Sequence, residues 1–137
     1  MALRQLADGS IVTFTPDAPV LADEKAKRLQ ELAQRRYKAE EGGTTLGGNP
    51  LATDRITQSK ITSAYVKAVA DDGFEITAWK SGSGVFSTLT ATSIIAAANA
   101  IEAHVQACFD NEASLSSDIT DAADLDELAA VDIEGGW

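Results

Sequence analysis

The sequence is poor in the residues from which reactive and covalently linked sites are built. It contains one cysteine, Cys108, and one histidine, His104, among 137 residues. A single cysteine excludes an internal disulfide, which leaves either a buried thiol or a bond to another chain. Structural zinc takes four ligands, usually Cys and His, and the chain has no third or fourth of that kind. We therefore predict no metal site and no cofactor.

Positive charge is missing from the second part of the chain. Residues 81–137 hold 10 acids and no base, whereas residues 1–80 carry all 11 Lys and Arg against 11 acids. An acidic segment of this kind repels phosphate, so we expect no nucleic-acid binding. It predicts either a solvated acidic helix face or a surface that meets a basic protein partner.

Long apolar runs and aromatic residues are also scarce. Aromatic residues make up 6% of the chain, so the core should consist mainly of Ala, Ile, Leu and Val. The longest apolar run, IIAAA at 94–98, is far shorter than the roughly 18–20 residues that a membrane span needs. We expect no membrane segment, and the N-terminal MALRQLADGS does not resemble a secretory signal.

What the sequence does contain is an alternation of helix and hairpin patterns. Residues 4–14 predict a β-hairpin that turns at Asp8-Gly9, and residues 73–90 predict a second hairpin around SGSG. Helices are predicted at 22–43, at about 55–71, at about 92–118 and, briefly, after Asp124. The glycine-rich stretch 44–55 lacks the spacing and the Lys of a phosphate loop, and it predicts turns followed by a short extended piece.

This order predicts an α+β fold. We expect one small domain at 22–137, in which a long amphipathic helix packs on β-hairpins, preceded by an N-terminal β-hairpin arm and linker at 1–21. The long helix carries a stripe with heptad-like spacing, made of Ile94, Ala98, Ile101, Val105, Cys108, Glu112, Leu115 and Ile119. The helix at 55–71 should bury Ile61, Ala64, Tyr65, Ala68 and Val69.

His104 and Cys108 stand one helical turn apart, which raises the question of a nucleophile pair. A catalytic Cys–His pair needs a thiolate in electropositive surroundings, and the neighbours Glu102, Asp110 and Glu112 are acidic. Acidic neighbours raise a thiol pKa. We predict a structural or interface role, with an interchain disulfide of Cys108 left open, and no catalytic residue in the chain.

The remaining candidates are aromatic residues that could contact a partner. Trp79 and Phe86 lie on opposite arms of the second predicted hairpin, where they could form a recognition patch or pack against the long helix. We also expect a contact surface on the exposed side of the long helix near His104 and Phe109. Trp137 either anchors the tail to its own domain or enters a partner's pocket, and we predict that truncating it weakens binding more than stability.

Five segments in this order resemble one protein family. They are RRYKAEEGGT at 35–44, ATDRITQSKIT at 52–62, ITAWKSGSGVFSTLT at 76–90, HVQACFDNEASL at 104–115 and AVDIEGGW at 130–137. Together they resemble a domain of unassigned function found in tail-fibre and tail-fibre-assembly proteins of tailed bacteriophages and prophages. The resemblance covers about residues 30–137 and implies no enzymatic activity.

The resemblance implies a phage tail context, within which two functions compete. One is a tail-fibre assembly chaperone or cap, acting in the host cytoplasm during phage assembly. The other is a resident subunit of the virion tail, in the fibre or baseplate, where the long helix joins a multimeric bundle. In both, the partner is a tail-fibre or baseplate protein, and a homo-oligomer is left open. An enzyme acting on envelope polymers is disfavoured, since it would need carboxylates placed in a cleft.

Overall fold

The computed structural model describes residues 2–5, 7–9, 11–14, 20–81 and 83–137. Strands and helices follow one another in this order: β1 (Ala2–Gln5), β2 (Ile11–Phe14), α1 (Leu21–Glu40), β3 (Thr44–Leu46), β4 (Asn49–Leu51), α2 (Arg55–Ala70), β5 (Glu75–Lys80), β6 (Phe86–Thr90), α3 (Ala91–Asp121) and α4 (Leu125–Ala129). The predicted α+β fold is confirmed, with the long helix α3 packed against small antiparallel hairpins.

Side-chain caps set the beginnings of three helices. Asp54 accepts a hydrogen bond from the Thr57 backbone N–H at 3.0 Å, and Asp124 accepts one from the Glu127 N–H at 2.8 Å. Thr90 caps α3 in the same way through the Ser93 N–H at 3.2 Å. Such caps satisfy backbone donors that have no partner inside the helix. Of Thr53 and Asp54, which both precede α2, Asp54 is the cap, and the predicted start of the short helix at Asp124 is confirmed.

The prediction for residues 44–55 was incomplete, because this stretch forms a third hairpin. Strands β3 and β4 pair antiparallel and are joined by Gly47 and Gly48, whose φ angles are 58° and 82°. Positive φ at both central residues is what a tight two-residue hairpin turn of type I′ requires, and glycine adopts it without strain. The Gly-Gly pair was the sequence signal for this hairpin.

Helix α3 is the element along which the other helices are arranged. Its 31 residues span about 46 Å. Helix α2 covers its N-terminal half, where Ile61 packs with Ala97 and Ile101. Helix α1 covers its C-terminal half, where Leu32 packs with Ile119. Both helices run antiparallel to α3, and the stripe predicted for α3 faces them: Ile94, Ile101, Cys108 and Ile119 are buried, and its other members are partly buried.

The interface between α1 and the second part of the chain contains polar contacts beside its apolar cluster. Lys25 donates to the Thr120 carbonyl at 2.7 Å, and Arg28 donates to the Val131 carbonyl at 2.8 Å. Arg35 pairs with Glu134 at 2.6 Å, and Arg36 pairs with Glu112 at 3.3 Å. Four of the six bases on this helix are thus bound within the chain, two of them by acids of the second part, Glu112 and Glu134.

Glu40 ties the end of α1 to the start of α2. Its side chain is only 3% exposed, and it forms ion pairs with Arg36 and, at 3.1 Å, with Arg55. Gln58 donates to the same carboxylate at 3.3 Å. The buried hydroxyl of Thr53 donates to the Glu40 backbone carbonyl at 2.6 Å. A buried carboxylate needs such compensation, and here it fixes the junction between α1 and α2.

The predicted apolar side of α2 was partly wrong. Ile61, Ala64 and Ala68 are buried, but Tyr65 and Val69 are exposed. The small side chains of the alanines let α2 lie close to α3. The buried face of α2 is therefore a single row of residues, and the larger side chains beside that row stay exposed. None of the helices in the described ranges is both long enough and apolar enough to cross a membrane.

We predict that Glu40→Gln lowers the free energy of unfolding by about 2–4 kcal/mol, because the largely buried Arg36 loses its counter-charge and Arg55 loses its ion pair. Urea unfolding at neutral pH measures this. Glu31→Gln is the matched control, since Glu31 pairs with Arg28 at 3.8 Å on the surface. That control should change stability by less than about 1 kcal/mol, and equal losses in the two variants would contradict the buried-pair argument.

The wild type and the Glu40→Gln variant should also differ in how their stability depends on pH. Burial alone would raise the pKa of Glu40, but hydrogen bonds from Gln58 and Arg36 and the charge of Arg55 outweigh it, so this pKa lies below 4.5. A depressed folded-state pKa gives stability that is present above pH 4.5 and is lost as the pH falls through the folded value. Glu40→Gln should therefore lose less stability than the wild type on acidification.

Candidate partner-binding surface

The hairpin β5–β6 owes its inward aromatic face to a β-bulge. The register pairs Ile76 with Leu89 and Trp79 with Ser87, so two residues of β5 between these pairs oppose one residue of β6. In a regular strand, side chains three apart point to opposite faces. The extra residue of the bulge turns Trp79 to the same side as Ile76, and both are half-buried while Thr77 and Ala78 are exposed.

Trp79 packs on the helices and is therefore not simply a surface ring. It contacts the cluster formed by Ile61, Ala97 and Ile101, to which Leu51 also belongs. The alternative in which Trp79 packs against the long helix is thus observed. The rest of the Trp79 side chain lines two depressions, one on each side of it.

The first depression, here called the hairpin groove, lies between the two hairpins and α3. Its volume is about 460 Å³. Leu46 and Leu51 line it from β3–β4, Trp79 and Leu89 from β5–β6, and Ala96 from α3. Apolar clefts with few polar groups are the usual form of binding sites in proteins. Sequence reasoning missed the two leucines, because it did not predict the β3–β4 hairpin.

The tip of hairpin β5–β6 exposes two further apolar side chains. Val85 is 62% exposed and Phe86 is 64% exposed. The Lys80 ammonium lies 5.8 Å from the centre of the Phe86 ring, within cation–π range. Phe86 therefore does not share the inward packing of Trp79. The two predicted aromatic residues lie on different sides of the hairpin, Trp79 on the core side and Phe86 on the outer side.

His104 does not lie on the exposed side of α3, so that expected placement was wrong. Its Nε2 atom lies 2.9 Å from the carbonyl oxygen of Ala39, which turns the ring toward α1. The Cys108 sulfur lies 3.8 Å from the same nitrogen. This arrangement joins α3 to the last turn of α1 and leaves the ring as part of a helix–helix contact.

Cys108 is 4% exposed and is a free thiol. Burial, and then the nearby Glu40 carboxylate, raise the pKa of this thiol, although Arg36 and Arg35 counter part of the effect. A raised pKa reduces the thiolate fraction, which is the nucleophilic form. In the described chain, a bond from this sulfur to another chain would require α3 to separate from α1.

Phe109 is the predicted surface residue that stays accessible. It is 41% exposed on the flank of α3, and the Arg36 guanidinium lies 4.5 Å from the centre of its ring. The ring also borders an open groove between α1 and α3, together with Leu29 and Ala113. The structure thus separates Phe109 from His104, which faces α1.

Trp137 packs on its own domain. Its indole N–H donates to the Ile133 carbonyl at 2.9 Å, and the Arg35 guanidinium lies 5.3 Å from the ring centre. Asn111 donates to the Gly135 carbonyl at 2.9 Å. Gly136 has φ +88°, and a Cβ there would lie 2.4 Å from the Asn111 Oδ1, so glycine is required for this close approach.

The acidic and thiol groups do not converge into a ligand set. Within the described ranges, no three of the residues His, Cys, Asp and Glu are placed to hold a metal ion. The surface features that the described residues do offer are apolar or cationic depressions beside Trp79 and exposed aromatic rings. Such features serve contact with another molecule through packing and charge.

We predict that Cys108 reacts with a thiol reagent at least about 100-fold more slowly in the native protein than in urea, because the sulfur is buried and protonated. Absorbance of the released chromophore at mildly alkaline pH measures the rate. Equal rates in the two conditions would contradict the burial and would restore the interchain disulfide as an explanation for this residue.

We predict that Trp137→Ala lowers the free energy of unfolding by about 2–3 kcal/mol, because the ring leaves a core cluster that contains Leu32 and Ile119. Phe86→Ala is the matched aromatic control and should cost less than about 1 kcal/mol, since its ring is exposed. Thermal unfolding of both variants compares them. If Trp137→Ala were as stable as the wild type, the result would instead favour the role in which Trp137 enters a partner's pocket.

Comparison with known proteins gives one match. The family model described as Domain of unknown function (DUF4376) matches residues 23–135. This range begins in the first turn of α1 and ends two residues before Trp137, so it contains the hairpin groove and the Glu40 junction. No curated protein and no solved structure matches the chain.

Proposed function

The chain belongs to the DUF4376 family, and we propose that it acts without catalysis, through protein–protein contact, as a chaperone or cap in the assembly of bacteriophage tail fibres. The observation that carries this proposal is the hairpin groove next to the exposed tip of β5–β6. Val85 and Phe86 offer exposed apolar surface at this tip, and Ser81 and Ser87 on either side of the tip line the groove. Exposed apolar surface of this kind is typical of sites that contact another protein.

The phage context rests on the five-segment resemblance, of which one segment, HVQACFDNEASL, lies within α3 and the other four lie in distinct parts of the fold. RRYKAEEGGT and ATDRITQSKIT meet at Glu40, where α1 ends and α2 begins. AVDIEGGW forms the C-terminal tail, in which the Trp137 indole donates a hydrogen bond to the Ile133 carbonyl. ITAWKSGSGVFSTLT forms the hairpin with the exposed tip. Packing accounts for the junction and the tail segments, whereas the exposed tip of the hairpin has no such internal role.

The alternative is a resident subunit of the fibre or baseplate, in which α3 joins a multimeric bundle. Such a bundle would need the heptad-like stripe of α3 to be free. Ile94, Ile101 and Ile119 are buried against α1, α2 and the adjoining C-terminal segment. A stripe already used within the chain supports the chaperone or cap over the bundle subunit.

We predict that Val85→Glu/Phe86→Glu weakens binding to the tail-fibre protein at least about tenfold while the variant stays folded, since a buried charge in an apolar contact is costly. Co-expression with the fibre protein, followed by affinity co-purification and measurement of soluble fibre, tests this. Circular dichroism and thermal unfolding establish that the variant is folded.

The matched control is Val66→Glu/Val69→Glu on α2. Both residues are exposed to a similar degree as those at the tip, 66% and 60%, but they lie away from the hairpin groove. Loss of binding in both double variants would indicate a general effect of added charge. Wild-type binding by the Val85/Phe86 variant would rule out the tip as the contact surface.

Quantitative mass spectrometry of purified particles separates the chaperone from the resident subunit. A chaperone is absent from mature particles but co-purifies with the fibre protein in infected cells. A fixed copy number that matches the fibres or the baseplate would overturn the chaperone in favour of the subunit or of a cap that stays bound. Fibre folding in cells that lack this protein then distinguishes the last two.

A further inference from the structure

The second depression beside Trp79, here called the lysine cleft, has a different chemistry from the hairpin groove. It lies between α2 and β5 and has a volume of about 390 Å³. Lys60 and Lys67 line it from α2, and Ala64, Phe74, Ile76 and Trp79 form its apolar part. The cleft therefore combines two positive charges with an apolar floor.

Both lysines are exposed, and their charges are not neutralised nearby. None of the ion pairs found in the described parts of the chain involves Lys60 or Lys67, and no carboxylate lines the cleft. The Lys67 ammonium lies 5.8 Å from the centre of the Phe74 ring, which is a weak contact at an exposed site. In a chain with a net charge of −10, this is an exceptional cationic surface.

The spacing of the two charges suits an extended chain. Lys60 and Lys67 are seven residues apart on one helix, which separates their backbones by about 10 Å. Side chains at positions i and i+4 of an extended strand point to the same face and are about 13 Å apart. Lysine side chains are long and flexible, so they bridge this small difference. The side chain at i+2 then points between the lysines, toward Trp79 and Ala64.

The edge of β5 offers a backbone partner for such a chain. Strand β5 pairs with β6 along one edge, and this is a two-stranded sheet in the part of the chain that the structure describes. A strand edge carries backbone donors and acceptors that an added strand can pair with. The bulge between Ile76 and Trp79 lies on β5 itself and shapes this side of the cleft.

We propose that the lysine cleft binds an extended, acidic segment of a partner protein, with two carboxylates on the lysines and an apolar side chain between them against Trp79. Charge complementarity supports this occupant, and the apolar floor favours a peptide over a polyanion. Nucleic acid is disfavoured because the chain as a whole is strongly acidic. This inference rests on the proposed function only in taking the partner to be a protein.

The test uses the full-length protein labelled with ¹⁵N and the blocked peptide Ser-Glu-Thr-Val-Thr-Glu-Ser. The two indole N–H signals give an internal comparison, since Trp79 lines the cleft and Trp137 packs on the other half of the molecule. We expect the Trp79 indole and the backbone signals of 59–67 to shift at about 1 mM peptide while the Trp137 indole stays in place. The peptide with both Glu replaced by Gln should shift neither the Trp79 indole signal nor the backbone signals of 59–67.

Charge reversal identifies the residues responsible. Lys60→Glu/Lys67→Glu should weaken peptide binding at least about tenfold, and raising the salt concentration to about 0.5 M should weaken it in the wild type. Lys38→Glu, an exposed lysine on α1, is the control and should bind as the wild type does. Thermal unfolding establishes that each variant is folded.

Several results would overturn the proposal. One is the absence of shifts at the Trp79 indole and at 59–67, and another is equal binding of the Gln peptide. A third is equal binding by the doubly reversed variant. Equivalent shifts from inorganic phosphate would reduce the cleft to a simple anion site, and tighter binding of single-stranded DNA would replace the peptide with nucleic acid. None of these results bears on the hairpin groove, so the proposed function is tested separately.

Discussion

The rest of the structure depends on one interaction, in which the bases of α1 bind to the acidic second part of the chain. Arg35 and Arg36 reach Glu134 and Glu112, and Lys25 and Arg28 reach backbone carbonyls near α4. These contacts position α1 along α3, so that Leu32 meets Ile119. Part of the uneven charge of the sequence is therefore matched within the chain, through Arg35–Glu134 and Arg36–Glu112.

This use of the bases decides which surfaces remain for a partner. Arg36 and Arg55 are committed to Glu40, and the α1 face toward α3 is occupied. On α2, Lys60 and Lys67 also lie outside the ion pairs of the described residues, and both line the lysine cleft. Apolar surface that the core does not use lies at the tip of β5–β6. The chain thus presents its contact chemistry around the N-terminal half of α3, while its C-terminal half is closed by α1, α4 and the tail.

The features predictable from the sequence are those set by near neighbours. The α3 stripe follows from residues three and four apart, and the caps Asp54 and Asp124 act within one turn. The features that could not be predicted depend on distant partners. Charged residues such as Arg36 and Glu40 interrupt the apolar side of α1 because they bind residues up to 76 positions away. The inward direction of Trp79 depends on a bulge, which only pairing with β6 reveals.

Trp79 limits how the two depressions can be distinguished by mutation. Its indole lines both the hairpin groove and the lysine cleft, and it also packs on Ile61, Ala97 and Ile101. Removing it would open one depression into the other and would leave a cavity in the core, so any loss of binding would mix stability with recognition. The charges on α2 and the exposed rings at the hairpin tip lie outside the core. They can therefore be changed one set at a time, while Trp79 keeps the two surfaces apart.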